Sequence, residues 1–490
     1  MAATRLKILL ASAEVAPFAK VGGLADVAGA LPKALAALKH DARVVMPAYR
    51  MVLDRWPVED VVEPFELRIR PGVTACAWVK QTRIAPDIPV YLVGGHPHFD
   101  QATESRKIYS LDPDPYIFFN RAAAEMVPLL QPAWAPDVLH ANDWHTGLLP
   151  VYLDLHHRGT PAWSRTARVF TIHNLAHQGE FDFPVLNQAG LPPELFTFDR
   201  VECYGRFNFM KCGLVYSHRV NTVSKTYARE IQTPEYGCRL DGLLRWLAEQ
   251  GRLSGIVNGI DYSEYNPATD PRIPAHFSAD SPEGKALCRA ALQKERNLPA
   301  RRNAAVVGII SRLADQKGFD LIADAAQELL SLPVQLVVLG TGEPRYEALF
   351  RDLAARHPKQ VSAEIGFDAD LAQRIYAGSD MFLMPSRFEP CGLGQLMSLR
   401  YGTIPIVRAT GGLADTIVDY RPGKGTGFVF RDYCTGAMMG AVRRAVGVFA
   451  DRQEWAGLVQ RALRADFSWT SSARRYAALY REAVAAARGA

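Results

Sequence analysis

The residues best suited to chemistry are one carboxylate and three cations set beside glycines. Glu389 is held between an aromatic ring and a proline in Pro385-Ser386-Arg387-Phe388-Glu389-Pro390-Cys391-Gly392-Leu393-Gly394. A carboxylate fixed there can accept hydrogen bonds from sugar hydroxyls, and a helix-capping acid would occupy the same place. Arg312 and Lys317 lie in Ser311-Arg312-Leu313-Ala314-Asp315-Gln316-Lys317-Gly318, just after an apolar run. Cations at a strand end and near a helix start can meet a pyrophosphate at the carboxyl edge of a parallel sheet. Position alone would equally suit two solvated side chains. Lys20 precedes Gly22-Gly23-Leu24-Ala25-Asp26, and the same pentapeptide returns as Gly411-Gly412-Leu413-Ala414-Asp415. A double glycine that opens a helix can bring backbone N–H groups close to a phosphate, so two copies suggest two nucleotide-type domains serving one ligand.

Other residues carry weaker signals. His173, in Phe170-Thr171-Ile172-His173-Asn174-Leu175, ends a strand-like run, where a parallel sheet presents functional side chains and where a structural histidine also fits. Cys391 reads as a small buried residue rather than a nucleophile. His140-Ala141-Asn142-Asp143-Trp144-His145 has none of the known metal-ligand spacings. Asp112-Pro113-Asp114 reads as a cap or turn.

Such residues need a scaffold. The chain has 490 residues, 48% hydrophobic, enough for two or three domains with full cores. Its net charge of +5 comes without a Lys/Arg block, which argues against nucleic acid. The seven cysteines are odd in number and form no C-x-x-C pair, which fits reduced thiols in the cytoplasm. No apolar run is long enough to span a bilayer, and the start runs into a strand without a cleavable signal.

Strand-length apolar runs alternate with amphipathic helical runs, which predicts α/β domains with parallel sheets. Strands are predicted at 6–13, 43–47, 138–141, 168–172, 219–223 and 253–257, and helices at 24–38 and 116–130. Residues 61–93 break the rhythm with period-2 segments and predict an antiparallel insertion. A second series follows at 304–310, 334–339, 381–384 and 404–407. Residues 258–274, rich in Gly, Pro, Asp and Asn, read as a hinge between them. The last helix, 472–488, has no strand after it and must dock elsewhere. A dinucleotide-binding dehydrogenase would want G-x-G-x-x-G after strand one and an acid after strand two. The chain offers Lys20-Val21-Gly22-Gly23 and Met46-Pro47-Ala48-Tyr49 instead.

Lys20-Val21-Gly22-Gly23 together with Glu389-Pro390-Cys391-Gly392-Leu393 resembles the bacterial glycogen synthases and plant starch synthases, glycosyltransferase family 5. The resemblance runs through His173-Asn174-Leu175, Tyr227-Ala228-Arg229-Glu230-Ile231, Val257-Asn258-Gly259-Ile260-Asp261, Asn266-Pro267-Ala268-Thr269-Asp270, Arg312 to Gly318, and Arg408-Ala409-Thr410-Gly411-Gly412-Leu413-Ala414-Asp415. It implies a GT-B fold, two Rossmann-like domains facing across a cleft. The acceptor-side domain would span 1–258 and the donor domain 259–471, with 472–490 packing back on the first. It implies retaining transfer of glucose from ADP-glucose to the nonreducing 4-hydroxyl of an α-1,4-glucan, with no metal. Lys20 would contact the donor, with Gly22 and Gly23 beside it. Arg312 and Lys317 would neutralise the pyrophosphate. Glu389, Cys391, Gly392 and Leu393 would line the glucose pocket, and His173 would sit beside the glucose. Asn258 would lie at the hinge side, Phe367 would stack on adenine, and Asp143 would be an acid in the cleft. Gly394 stands where the family usually has Thr, and 94–112 matches it poorly.

A retaining glycosidase would need two carboxylates roughly 5 Å apart, and the sequence offers Glu389 without a convincing second. That favours a front-face mechanism in which the acceptor hydroxyl gives its proton to the departing phosphate. Rival readings are the same fold using UDP-glucose, a pyridoxal-phosphate phosphorylase, and a non-catalytic glucan-binding protein. Lys20, Arg312, Lys317 and Glu389 are all present, which argues against the last.

Overall fold

The structure is a computed structural model and describes residues 5–109 and 112–489. The first four residues, on which the reading of no cleavable signal rests, lie outside the described residues, as do Ser110 and Leu111 within 94–112. The chain divides into two compact units, Met1–Gly259 with Trp469–Ala490, and Ile260–Ser468.

In unit 1 the strands are β1 (Lys7–Ala11), β2 (Asp41–Pro47), β3 (Glu59–Arg70), β4 (Val73–Ala85), β5 (Ile88–Gly94), β6 (Val138–Asn142), β7 (Ala167–Ile172), β8 (Glu180–Phe181), β9 (Glu202–Cys203), β10 (Arg206–Asn208), β11 (Arg219–Thr222) and β12 (Leu253–Gly255). The main sheet runs β12-β11-β7-β6-β1-β2-β5-β4-β3, and β8-β10-β9 form a small antiparallel sheet. From β12 to β5 the pairings are parallel. β1, Lys-Ile-Leu-Leu-Ala, is buried after its first residue, as a strand covered on both faces must be.

The antiparallel insertion expected over 61–93 is therefore smaller than its period-2 pattern implied. β3 and β4 form a twisted hairpin, but β5 pairs in parallel with β2 as well as antiparallel with β4. Its nearly continuous burial, unlike the alternation in β3, is the mark of a sheet interior.

Unit 2 contains β13 (Ala305–Ile310), β14 (Val334–Gly340), β15 (Val361–Ile365), β16 (Met381–Met384), β17 (Ile404–Arg408) and β18 (Phe428–Phe430), in the order β15-β14-β13-β16-β17-β18, all parallel. β15 and β18 are edge strands that the apolar-run criterion missed. β15 buries only Val361, its other positions being half-buried or exposed, and β18 has only three residues.

The segment read as a hinge is mostly fixed to unit 2. Tyr265, Ile273 and Phe277 enter that unit's core. Asp270 accepts from the Arg272 guanidinium at 2.7 Å and from the Tyr401 hydroxyl at 2.5 Å. Gly, Pro and Asp here make tight turns rather than slack.

The last helix, Trp469–Arg488, starts three residues before the expected 472 and packs within unit 1. Its buried face carries Ala473, Tyr476, Ala477, Tyr480, Ala483 and Val484, a three-to-four spacing. A buried polar chain fixes its register. Burial pushes the His140 imidazole down to about 3, so the ring is neutral. The Tyr480 hydroxyl donates to His140 Nδ1 (2.9 Å), and His140 Nε2 donates to Thr171 Oγ1 (2.5 Å). Thr171 in turn donates to Asn221 Oδ1 (2.7 Å), and Asn221 Nδ2 to the Tyr476 oxygen (3.3 Å). Every member is satisfied, so the chain specifies one seating rather than leaving a buried polar group unpaired.

Candidate active site

In each unit, strand ends position the candidate residues. In unit 2, β13 ends before Arg312–Gly318, β16 before the Glu389 loop, and β17 before the second double glycine. Lys317 Nζ donates to Glu389 Oε1 (3.0 Å) and Oε2 (2.7 Å), and Ser386 Oγ donates to Oε2 (3.0 Å). Glu389 is only 5% exposed. A carboxylate so placed is neutralised and hydrogen-bonded, which is what makes its burial affordable. Gln316 O accepts from Arg387 N at 2.9 Å and ties the two loops together. Gly318 has φ +76°, and a Cβ there would lie 2.1 Å from Pro385 O.

The second double glycine makes room for the Glu389 loop. A Cβ on Gly412 would lie 1.8 Å from Cys391 O, and Gly412 N donates to Glu389 O (3.0 Å) and Pro390 O (3.1 Å). That N–H is thus spent on the loop backbone. Cys391 is buried, and Gln395 Nε2 donates to Cys391 O and Gly392 O, holding Gly392 at φ +68°. Leu393 is half-buried beside them. Gly394 opens the helix Gly394–Arg400. Any Cβ there would come within 3.1 Å of the Phe382 ring, a local packing reason for glycine. Arg312 is exposed, with a long 3.4 Å contact to Gln316 Oε1. Phe367 stands apart just beyond β15, 85% exposed.

In unit 1 the carboxyl ends of β1, β6 and β7 converge. Asp143, with φ +57°, accepts from His173 N at 2.7 Å. His173 Nε2 meets Asn142 Oδ1 at 2.9 Å. Burial holds the imidazole down at about 3, so it is neutral and its proton belongs on Nε2, facing the acceptor. Lys20 pairs with Asp26 at 2.6 Å. The first double glycine has an internal anion: Glu14 Oε2 accepts from Val21 N (2.6 Å) and Gly22 N (2.8 Å). The Tyr109 hydroxyl donates to the other Glu14 oxygen. The Gly22 N–H, a candidate for a phosphate on sequence grounds, thus holds a carboxylate of the chain itself. Asn258 is buried, and its side-chain oxygen has no hydrogen-bond partner among the described residues.

The structure thus joins Lys317 with Glu389 and Asp143 with His173. Lys20, Arg312, Phe367 and Asn258 are each placed separately. Sequence reasoning missed Glu14, Tyr109, Asn142 and Ser386. Glu14 lay between the first strand and the glycines, where an acid near a ring of N–H donors is a readable signal. Tyr109 belongs to the segment that matched the family poorly. Among the described residues no group of three or more His, Cys, Asp or Glu side chains is placed to hold a metal.

Asp143 gives a pH prediction. Burial pushes its carboxyl up to about 7 from 3.8, and the Glu14 charge adds to this, against the N–H groups of His173 and Asn174. A carboxyl raised in the folded state contributes stability that is present below its unfolded value and lost as pH rises through the folded one. Asp143→Asn is therefore expected to melt like the unsubstituted chain near pH 4 and at higher temperature than it at pH 8. Thermal melts at the two pH values check this.

Residues 7–246 match the family model for the starch synthase catalytic domain, and 292–446 that for glycosyl transferases group 1. The glycogen synthase of Desulforudis audaxviator is 48% identical over 495 residues, covering 98% of this chain and 97% of that protein. The chain belongs to the family of bacterial glycogen synthases and plant starch synthases. The Anaeromyxobacter dehalogenans glycogen synthase is 47% identical, over 97% of this chain and 99% of its own. Among solved structures, the catalytic domain of Arabidopsis thaliana starch synthase IV bound to ADP and acarbose is similar at a TM-score of 0.90 and 32% identity. The match covers 98% of this chain and 100% of that one. Sucrose-phosphate synthase of Thermosynechococcus elongatus, at 17% identity and a TM-score of 0.61, shares the fold. This member of the family is accordingly a glycosyltransferase of the starch/glycogen synthase type, with the GT-B fold.

Proposed function

We propose that the chain transfers glucose from ADP-glucose to the nonreducing 4-hydroxyl of an α-1,4-glucan with retention of configuration, and so elongates glycogen. The observation that carries this reading is the half-buried Lys317 paired with the buried Glu389 and Ser386 at the carboxyl edge of the unit 2 sheet, in a family whose Arabidopsis member is bound to ADP and acarbose.

Charge builds on the pyrophosphate as the glycosidic bond breaks. Lys317 and Arg312 are the residues here that stabilise it, without a metal. Glu389 orients Lys317 and accepts from sugar hydroxyls, beside Cys391, Gly392 and Leu393. Its hydrogen-bonded neighbours are a lysine and a serine, not a second carboxylate, which suits front-face departure rather than a double displacement. In unit 1 a neutral His173, set by Asn142 and Asp143, offers hydrogen bonds and a backbone carbonyl to an oxocarbenium-like centre. The unpartnered oxygen of Asn258 suits a substrate hydroxyl. The exposed ring of Phe367 suits a stacked adenine. Lys20 is the cation of unit 1 suited to the donor phosphates.

Seven free thiols, and the lack of any helix among the described residues long and apolar enough to cross a membrane, support a cytoplasmic enzyme. Initial rates with ADP-glucose and UDP-glucose, glycogen as acceptor and a chelator present, test the reading. ADP-glucose is expected to give the higher kcat/KM by at least about tenfold, a 1.4 kcal/mol preference. Equal or greater use of UDP-glucose would overturn the donor assignment, and dependence on added metal would overturn the charge-stabilising role of the cations.

A further inference from the structure

Unit 1 displays aromatic rings that the reaction site does not use. Phe198 is 82% exposed and Tyr204 72%, and Phe183 is also exposed. A phenyl ring left in water forgoes roughly 1.5–3 kcal/mol of burial, yet its mount is rigid. Lys211, almost fully buried, donates from Nζ to both Phe198 O and Glu202 O. Glu202 N closes the same loop by donating to Thr197 O at 3.2 Å. Tyr204 caps the β9–β10 hairpin at φ +51°, with the Arg239 guanidinium 5.5 Å from its ring centroid. Phe183 packs edge-on against Phe196, at 4.9 Å between centroids.

The two arginines nearest Tyr204 in sequence and space are each ion-paired. Arg239 donates to both oxygens of Glu180 at 2.6 Å, and Arg206 pairs with Asp182 and donates to Glu180 O at 3.2 Å. The surface therefore offers apolar ring faces and fixed hydrogen-bonding groups, its Arg206 and Arg239 charges paired with Asp182 and Glu180 and its exposed Asp199 and Arg200 of opposite sign. That chemistry suits a neutral, polyhydroxylated chain better than an anionic lipid surface or a nucleic acid. The patch is also continuous with the site. Phe181 of β8 packs on Trp144, which follows Asp143.

We propose that Phe198 and Tyr204 form a stacking platform for a distal stretch of the α-1,4-glucan acceptor, holding the polymer so that its end lies at the Asp143–His173 edge. This deepens the glucan-elongating reading and rests on it. The test compares the double variant Phe198→Ala/Tyr204→Ala with the unsubstituted chain, using glycogen and maltotriose as acceptors. Both side chains are exposed, so the fold should survive, and a thermal melt confirms it. The glycogen concentration for half-maximal rate is expected to rise about tenfold. The constants for maltotriose and ADP-glucose, too short or too distant to reach the platform, should not change. Retardation of the variant in a native gel containing glycogen should weaken in parallel.

Unchanged glycogen kinetics and retardation would overturn the proposal. So would an equal loss with maltotriose, or a self-association abolished by the double substitution while glycogen kinetics stay the same, which would assign the face to a second copy of the chain. If the unsubstituted chain transferred glucose to neither acceptor, the functional reading would fall, and the gel alone would still decide the platform.

Discussion

Glu389→Ala is expected to lower kcat at least about a hundredfold, the scale seen when one fixed charge-stabilising contact is lost, while the chain still folds. The buried Glu389 carboxylate accepts from Lys317 Nζ through both of its oxygens and from Ser386 Oγ through one of them. Without it the ammonium keeps its charge but loses the partner that fixes its position. Lys317 then reaches the leaving phosphates from the wrong place, and the sugar loses an acceptor. Lys317→Ala is expected to be the worse variant for stability. It leaves a carboxylate 5% exposed without its cation, a defect worth roughly 3–5 kcal/mol. Glu389→Gln separates the two roles, since it keeps the size and one acceptor but not the charge. Turnover at saturating donor, read beside a thermal melt, checks all three. Near-normal turnover in Glu389→Ala would refute the assigned role.

Gly412→Ala is expected to abolish most activity by another route. Its Cβ would sit 1.8 Å from Cys391 O and 2.6 Å from Cys391 Cα, both backbone atoms that no rotamer change can move aside. The loop carrying Glu389 must shift, breaking the Gly412 N–H bonds to Glu389 O and Pro390 O and drawing the carboxylate off Lys317. The stability cost should be roughly 1–3 kcal/mol, as for other overpacking substitutions. Gly440→Ala is the control. It lies inside the helix Thr435–Ala450 with open space around its Cβ position, and alanine there is expected to be neutral or stabilising by up to about 1 kcal/mol. An active Gly412→Ala enzyme would show that the glycine is not needed for close approach.

Much of this architecture was legible in the residues. Buried parallel strands announce themselves as unbroken apolar runs, so β13 and β16 were readable nearly to the residue. β15 and β18 were not, because an edge strand is half wet and a three-residue strand has no period. The composition of 258–274 signalled irregular backbone correctly. It could not reveal that Tyr265 and Ile273 anchor that backbone in unit 2. At the site, spacing located Lys317 and Glu389 but not their pairing, which joins loops 72 residues apart.

The repeated pentapeptide was the clearest signal and the one whose meaning changed most. Double glycines read as phosphate cradles because their N–H groups are accessible in isolation. In the fold, Glu14 takes the Gly22 donor of the first copy along with that of Val21, and the Glu389 loop takes the Gly412 donor of the second. Glycine is needed in the second copy for close backbone approach. The cations, more than the glycine amides, are left to meet the phosphates.

The central claim, that this chain extends an α-1,4-glucan from ADP-glucose, is tested most directly by incubating the purified protein with glucose-labelled ADP-glucose and glycogen. The account predicts label in the glucan that is released by an exo-acting α-1,4-specific hydrolase working from the nonreducing ends. No label in the glucan, or label that such digestion leaves behind, would contradict it.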